Sequence, residues 1–597
     1  MDDIKTLSYG RLQDVLKDVE KPGRYIDCEI GVSSKRLQDL DDHSVLAALA
    51  FPDIYDVGMP NLGLQILYGI INSHKDFSAE RVFAPWVDME EAMRKEGIRL
   101  FSLENRIMLE SFDLIGFSLQ HELLYTNVLN MLDLSGLEPV AEKRRPCDPV
   151  ICAGGPAVFN PAPMSAFMDF MLIGDGEETI VPILERLSGY RAGKIGKKKF
   201  LEEISGLDGV YIPSAYRYHY SASGRIEKID PPGKVKKAAV ADLDSHRIIT
   251  RPVIPNIRTV HDRYAVEIMR GCGRGCRFCQ AGFIYRPVRS RDAAGLIGQC
   301  LEGLQNTGYD EISFLSLSTT DYGGLEQLIK GLREKTQDQR LSMSLPSMRL
   351  DTFGLRMAEL VRQGRKTGLT FAPEAGSQRM RDIINKNITE TQIMECIDSA
   401  LGKGWEKIKL YFMIGLPGET GEDIRETASL ICRIAARARK AMPGKKRKRF
   451  SMNVSINVFN PKPFTPFQWA AQEKRENLEK KFRIILDNVP GRHINISWSD
   501  TERSRIECAL SRGDTRMGRV ILAAWKNGAR FDNWTDHFRP RAWQAAFKDS
   551  NMDADSYAGR EYGTNEILPW DTVDIGIKKQ VFLSGYGKAL EMIRAGK

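Results

Sequence analysis

Three of the ten cysteines fall within eight residues, in Met269-Arg-Gly-Cys-Gly-Arg-Gly-Cys-Arg-Phe-Cys-Gln280. This C-x3-C-x2-C loop constrains the chain more than any other feature. It follows Tyr264-Ala-Val-Glu-Ile-Met269, which reads as a buried strand. Gly271, Gly273 and Gly275 let the loop bend tightly, so the thiolates of Cys272, Cys276 and Cys279 gather in one region. A closed structural zinc site needs a fourth ligand, and the following residues from Gln280 to Arg289 hold no Cys or His. A cubane iron–sulfur cluster usually takes four thiolates, so three leave one iron open to another ligand. Arg270, Arg274 and Arg277 would offset the negative charge of such a cluster. The plainer alternative is a structural group of thiols. The other seven cysteines, Cys28, Cys147, Cys152, Cys300, Cys396, Cys432 and Cys508, are scattered.

Downstream, strand-like and helix-like segments alternate for about 220 residues, as a parallel sheet with crossover helices does. The expected strands are Glu311–Ser316, Leu341–Leu345, Gly368–Phe371, Lys407–Met413 and Met452–Val458, with helices such as Thr391–Gly402 and Glu422–Ala441 between them. Ligand groups belong at the carboxyl ends of such strands. Composition agrees with a globular protein: 597 residues, 42% hydrophobic, 27% charged, net charge +8. At ~150 residues per domain this length suggests three or four domains. No apolar run approaches the ~18 residues of a membrane span. Met1–Gly10 lacks a signal pattern and cysteines are sparse, so a cytoplasmic chain is expected.

The first part reads as a separate α/β unit. Its expected strands are Ser44–Phe51, Asp113–Ser118, Pro149–Ala153 and Phe170–Ile173, alternating with helices Leu62–His74, Glu122–Ser135 and Glu177–Leu187. No G-x-G-x-x-G is present, so a dinucleotide fingerprint is missing. Small residues instead end successive strands: Pro60-Asn-Leu-Gly63, Ser118-Leu-Gln120, Gly154-Gly-Pro156 and Gly174-Asp-Gly-Glu177.

The cysteine loop resembles the signature of the radical SAM superfamily, and the resemblance runs nearly the whole chain. It implies a [4Fe–4S] cluster on Cys272, Cys276 and Cys279 whose open iron chelates S-adenosylmethionine (SAM). Phe278 would pack by the adenine, Ser316 and Ser318 would meet the methionine amino group, and Arg349 would follow the third strand. Glu374 would bond the ribose or amino acid part, and Gly415, in Met413-Ile-Gly-Leu-Pro-Gly-Glu419, would line the adenine. The N-terminal loops resemble the cobalamin-binding domain found ahead of many radical SAM domains. That implies cobalamin contacts from Tyr55, Asn61, Gly63, Ser118, Gln120, Gly154, Gly155, Gly174, Gly176 and Glu177. The usual D-x-H-x-x-G is absent; Asp53-Ile-Tyr-Asp-Val-Gly58 stands there, with Tyr55 in the place of His. Either cobalamin is held without a protein histidine or the domain has lost it. Methylthiotransferases carry a second cluster in their N-terminal domain, but Cys28, Cys147 and Cys152 match no such motif and are expected to be structural, buried thiols.

The expected fold is α/β: a Rossmann-like cobalamin-binding-type domain, a partial (β/α)6 radical SAM barrel and a mainly helical C-terminal region. The boundaries are a lead segment 1–40, the N-terminal domain 41–190, a basic Gly/Pro-rich linker 191–260, the radical SAM core 261–490 and a helical cap 491–597. Phe459-Asn-Pro-Lys-Pro-Phe-Thr-Pro-Phe-Gln-Trp469 is a proline-punctuated loop resembling one in this B12 group, with Lys462, Thr465, Gln468 and Trp469 as candidates to face the site. Arg512, Asp514, Arg516, Asp532 and Trp534 would suit the barrel mouth. The implied function is reductive cleavage of SAM to a 5′-deoxyadenosyl radical, with cobalamin-dependent methylation of an unactivated carbon. The alternatives are a cobalamin-using isomerase or cyclase, or a non-catalytic iron–sulfur or cobalamin sensor or RNA- or ribosome-associated assembly protein. A flavodoxin- or ferredoxin-type electron donor is the implied partner. The runs Gly196–Lys199, Pro231–Lys237 and Lys445–Arg449 read as solvated loops, with RNA contact as the functional alternative.

Overall fold

The computed structural model describes residues 4–41, 43–336, 341–346, 369–441, 450–491 and 493–596. Val45–Phe51 (β1), Phe77–Phe83 (β2), Leu114–Ser118 (β3), Val150–Gly154 (β4), Phe170–Leu172 (β5) and Val210–Tyr211 (β6) form one sheet in the order β2-β1-β3-β4-β5-β6. The first five strands are parallel and β6 runs antiparallel to β5. Every residue of β1 is buried, as a parallel sheet covered on both faces requires. Helices Leu62–Asn72 and Ile180–Arg191 cover one face with Leu64, Tyr68, Ile71, Ile183, Leu184 and Leu187. Val87–Lys95 and Tyr125–Leu134 cover the other, in a core that continues into the C-terminal region.

β2 has no counterpart among the strands expected from sequence. Ser78, Glu80 and Arg81 interrupt its apolar run, yet all seven of its residues are buried. Arg81 explains how. Its guanidinium lies between the Glu29 and Glu104 carboxylates, with Nε 2.7 Å from Glu104 Oε1. Glu80 accepts from the Ser102 hydroxyl at 2.6 Å and from both nitrogens of Asn105. A strand can bury a cation that is paired with carboxylates and a carboxyl group whose oxygens are hydrogen-bonded.

The expected linker is shorter than 191–260. Lys197–Ile204, which contains the first basic run, is a helix burying Phe200 and Ile204, and β6 joins the N-terminal sheet. Arg217–Tyr220 (β7) and Ile226–Asp230 (β8) then form an antiparallel hairpin, and Val235–Lys236 (β9) follows.

The second half carries Tyr264–Glu267 (β10), Met269–Arg270 (β11), Arg289–Ser290 (β12), Glu311–Leu315 (β13), Ser342–Ser344 (β14), Leu369–Glu374 (β15), Lys407–Ile414 (β16), Ser451–Val458 (β17) and Ile494–Trp498 (β18). β10-β13-β14 and β15-β16-β17-β18 are two parallel sheets, holding the six expected strands in the expected order. β18 is a seventh strand paired with β17, so this unit runs past the expected boundary at 490 to Trp498. Helices Ala293–Thr307, Leu325–Lys335, Glu390–Gly402, Gly421–Ala441 and Arg475–Asn488 close around it over a separate core.

The C-terminal region is mainly helical, as expected, but it does more than cover the barrel. Met517–Lys526 turns Val520, Ile521 and Ala524 inward and packs against Tyr125–Leu134 of the N-terminal unit. Val573–Asp574 (β19) pairs in parallel with β9. Asp532 accepts from Thr126 at 2.8 Å and from Trp543 at 3.0 Å, while Asn533 and Trp534 donate to Asp53 at 2.8 and 3.0 Å. Asp532 and Trp534 therefore fasten onto the N-terminal unit rather than edging the barrel mouth. Among the described residues, no helix is long and apolar enough to cross a membrane.

Candidate active site

The cysteine loop is closed at its base by β11 and β12, which pair Met269 with Ser290 and Arg270 with Arg289. Gly271 starts the loop at φ 87°, and a Cβ there would lie 2.6 Å from Tyr285 O and 2.8 Å from Pro287 O. Only glycine serves that left-handed close approach. Further along, Asn385 Nδ2 donates to Gly275 O at 2.9 Å, Arg286 Nε to Cys272 O at 3.1 Å, and Arg277 N to Ile384 O at 3.0 Å. The loop is thus pinned on both sides of the three thiols.

Cys272, Cys276 and Cys279 are each half-buried. Burial raises the Cys279 thiol to about 11, and the neighbouring Cys276, Cys272 and Glu374 push it the same way. The three thiols and Glu374 therefore share one electrostatic neighbourhood. Among the described residues, no three His, Cys, Asp or Glu side chains converge tightly enough to hold one metal ion. A single tetrahedral ion needs such convergence.

The three arginines of the loop are engaged by the protein itself. Arg270 meets Glu177 at 2.7 Å, Glu267 at 2.9 Å and Asp175 at 3.0 Å. Arg274 pairs with Asp321, and Arg277 donates to Asp382 O at 3.0 Å. Asp175 and Glu177 lie just past β5, so Arg270 ties the cysteine loop to the carboxyl edge of the N-terminal sheet.

Of the expected SAM residues, Ser318 reaches this loop through Asp321 and Arg274, and Glu374 lies in the electrostatic neighbourhood of Cys279. Ser316 bonds Thr319 at 2.9 Å, and Ser318, almost fully buried, donates to Asp321 at 2.6 Å, the same carboxylate that holds Arg274. Glu374 sits at φ 69° after a bulge in β15, with Lys386 Nζ 3.1 Å from its carboxylate. Gly415, at φ 80°, donates its N–H to Glu419 at 2.7 Å, and a Cβ there would strike Leu478 at 2.8 Å. It is a packing glycine as much as a lining one. Phe278 is half-buried against the large core. Arg349 and the run Lys445–Arg449 lie outside the described residues.

The residues expected to line a corrinoid divide into two groups. Ser118, Gln120, Gly154 and Gly155 stay half-exposed at the adjacent carboxyl ends of β3 and β4, where Ser118 and Gly154 are register partners. This small-residue edge can accept a flat ligand. The others are committed elsewhere. Tyr55 is 1% exposed and donates its hydroxyl to Glu29 at 2.5 Å. Asn61 caps the helix in which Gly63 lies, accepting from Leu64 N. Gly174 approaches Ala238 so closely that a Cβ would lie 2.1 Å from its carbonyl, Gly176 packs on Leu67, and Glu177 is on Arg270.

One charged cluster at this junction carries little sequence signal. Lys462 Nζ lies 2.7 Å from Glu122 and 2.9 Å from Glu507, which belong to the N-terminal unit and the C-terminal region. Burial opposes the charge on Lys462, but the two carboxylates hold its pKa above the ordinary lysine value. Burial likewise opposes ionisation of Glu507, yet Lys462 draws it below the usual carboxylate range. His121, beside them, is lowered by burial. Of the proline-loop candidates only Lys462 remains accessible. Thr465, Gln468 and Trp469 are buried, with Gln468 accepting from Trp570 at 2.8 Å. Phe467 N donates to Arg277 O at 3.2 Å, which places this loop directly on the cysteine loop. Glu122 and Glu507 gave no pattern to read, because they meet only in space.

Comparison with known proteins decides the family. The model of the radical SAM superfamily matches residues 266–431, the segment holding the cysteine loop, and the model of radical SAM proteins, N-terminal, matches 63–213. The chain is a radical SAM protein. An uncharacterised protein of Methanocaldococcus jannaschii, MJ0966, is 27% identical over 476 residues, covering 79% of this radical SAM chain and 90% of that one. The tRNA-2-methylthio-N(6)-dimethylallyladenosine synthase of Desulforamulus reducens is 24% identical over 269 residues, 43% of this chain and 54% of the synthase. Among solved structures, the radical SAM methyltransferase TsrM of Kitasatospora setae, with cobalamin and a [4Fe–4S] cluster bound, aligns with a TM-score of 0.50 at 11% identity, covering 85% of this chain and 99% of that one. This likeness concerns the fold.

Of the three N-terminal cysteines, Cys152 is buried, whereas Cys28 and Cys147 are exposed. The expectation of buried thiols holds for one position only, because Cys28 and Cys147 lie on surface loops.

Proposed function

We propose that this radical SAM enzyme holds a [4Fe–4S] cluster on Cys272, Cys276 and Cys279 and acts on a substrate seated between the cysteine loop and the carboxyl edge of β3 and β4. The observation carrying this reading is the loop itself: three half-buried thiols, pinned on both sides and sharing a neighbourhood with Glu374. The donor set fits a cluster better than a single ion, because a cluster spreads its thiolates over different irons. A reduced cluster held by these three thiolates would supply the one-electron chemistry that cleaves SAM to methionine and a 5′-deoxyadenosyl radical. The protein's part is positional. Asp321 and Ser318 hold the loop through Arg274, and Glu374 offers a carboxylate to the amino acid or ribose part of SAM.

The finer reading is cobalamin-dependent methylation of an unactivated carbon. What supports it is the half-exposed edge at Ser118, Gln120, Gly154 and Gly155, in the same sheet as the neighbouring β5 end whose Asp175 and Glu177 hold Arg270 of the cysteine loop. Those four residues would hold the corrinoid, which supplies methyl-group chemistry; Tyr55 does not fit as its axial ligand. An electron donor of flavodoxin or ferredoxin type would serve the cluster.

Anaerobic reconstitution with iron, sulfide, SAM and dithionite tests the first reading. The expected result is 5′-deoxyadenosine from the native chain and none from Cys276→Ala; no product from the native, cluster-loaded protein would overturn it. Growth with cobalamin tests the second: a retained corrinoid spectrum and transfer of label from methyl-labelled SAM are expected. Corrinoid retention without label transfer would leave a cobalamin-using isomerase or cyclase instead, and radical formation without a retained corrinoid would remove every cobalamin-dependent reading.

A further inference from the structure

A second site lies away from the cysteine loop. Where the β7–β8 hairpin meets the C-terminal region, a cleft of about 1270 Å³ opens, lined by Arg505, Arg512, Arg516, Arg560, Tyr557 and Tyr562 among others. Eight basic and six acidic side chains line it. Most of the acids serve to orient guanidinium groups. Asp514 holds Arg516 at 2.6 Å, Glu566 holds Arg560 at 2.8 Å, and Asp555 holds Arg505 at 3.0 Å.

Two of these arginines keep unused donors. Arg512 is fully buried. Its Nη1 and Nη2 donate to carbonyls, Ala558 O and Arg560 O, both at 3.0 Å, and its Nε has no hydrogen-bond partner. Arg505 gives Nε to Asp555 and Nη2 to Glu473 O, while its buried Nη1 has no partner. A buried guanidinium N–H left empty costs ~1–3 kcal/mol, so two of them lining one cleft point to an anionic ligand that completes them. The ring of Tyr562 carries Arg512 at 3.8 Å and Arg560 at 4.2 Å from its centroid. Arg560 is the outer member, with 35% of its side chain exposed, and its flat face can continue the stack onto a planar ring.

We propose that this cleft binds a nucleoside phosphate, with the phosphate on Arg505 and Arg512 and the base stacked on Arg560. A carboxylate or bare phosphate would satisfy the N–H groups but leave the stack unused. The cleft exceeds the ~300–1,000 Å³ of ordinary small-molecule sites, so it has room for more than one nucleotide. The ligand reaches it as a free nucleotide or as part of an RNA strand. The site is coupled to the radical centre by backbone: Tyr562 N donates to Trp469 O at 2.8 Å, and Phe467, two residues away, donates to the cysteine loop.

Fluorescence anisotropy of the full-length protein tests this with a labelled ten-nucleotide single-stranded RNA, and with AMP and inorganic phosphate as competitors. Binding should weaken about tenfold in Arg560→Ala and in Arg505→Gln, and stay unchanged in Lys330→Ala, an exposed cation elsewhere. Circular dichroism melts confirm that each variant folds. Displacement by AMP identifies the free nucleotide as the source; an RNA complex that AMP leaves intact identifies the strand. Absence of binding by both, equal loss in Lys330→Ala, or displacement by phosphate as effective as by AMP would overturn the proposal.

Discussion

Arg81 and Lys462 are both cations set between two carboxylates, and they sit in different worlds. Arg81 is sealed, with its side chain at 0% exposure and its partners Glu29 and Glu104 at 0% and 3%. Lys462 is 18% exposed and Glu507 26%, although Glu122 is buried. Arg81 joins the lead segment to an edge strand within one unit. Lys462 joins three separate segments at the junction facing the cysteine loop. The same charge arithmetic therefore serves two purposes. A sealed pair with every donor used fixes a fold, whereas a partly open one keeps groups that a substrate can reach.

Replacing the cation separates the two roles. Arg81→Met leaves two carboxylates buried without compensation, and a loss of ~3–5 kcal/mol is expected. It should appear as a lowered melting temperature and faster hydrogen exchange in β1 and β2; an unchanged melt would remove the structural role assigned to Arg81. Lys462→Met should cost less stability, because water reaches the site, but should lower substrate turnover about tenfold, ~1.4 kcal/mol in barrier. SAM cleavage to 5′-deoxyadenosine should persist in that variant. If cleavage and turnover fall together, Lys462 steadies the proline loop, whose Phe467 N bonds Arg277 O of the cysteine loop, rather than the substrate.

The same contrast shows what a sequence can carry. The strands β1, β3, β4 and β5 and all six expected barrel strands are legible because each is a short apolar run or an alternation of apolar and polar residues. The cysteine loop is legible because its ligands lie within eight residues. β2 is not, since Ser78, Glu80 and Arg81 read as surface until Glu29, Glu104 and Asn105 arrive from distant positions. Glu122 and Glu507 are hidden for the same reason. Arg512 and Arg516 stand out in sequence, but charge alone does not say which surface they line. They face the second cleft, because the apolar side of Met517–Lys526 is spent on the N-terminal unit.

Acid–base behaviour sharpens the comparison further. Burial, with the nearby Glu104 charge second, raises Glu80 to about 7. An unfolded chain releases this proton near the ordinary glutamate value of about 4.5. Between these two values the folded protein holds a proton that the unfolded chain has lost, so stability falls as pH rises through that window. Below it both states are protonated and the contribution is flat. Glu80→Gln should flatten this part of the curve in urea titrations from pH 4 to 8. A slope unchanged by the substitution would assign the effect to another group.

Tyr55 tests the edge of the sealed cluster. Tyr55 occupies the sequence position where a cobalt-binding histidine would stand, yet its hydroxyl is spent on Glu29, which also pairs with Arg81. Burial and the Glu29 charge both raise its pKa, so it stays a neutral donor at any ordinary pH. Tyr55→Phe removes one hydrogen bond to a charged partner and keeps the ring's contact with Phe83, 5.3 Å between centroids. The cost should be ~1.5–3 kcal/mol of stability. The corrinoid spectrum of the loaded protein should not change, because Tyr55 belongs to the Arg81 network and not to the ligand edge at Ser118 and Gly154. A shift in that spectrum would move Tyr55 from the sealed cluster to the open site.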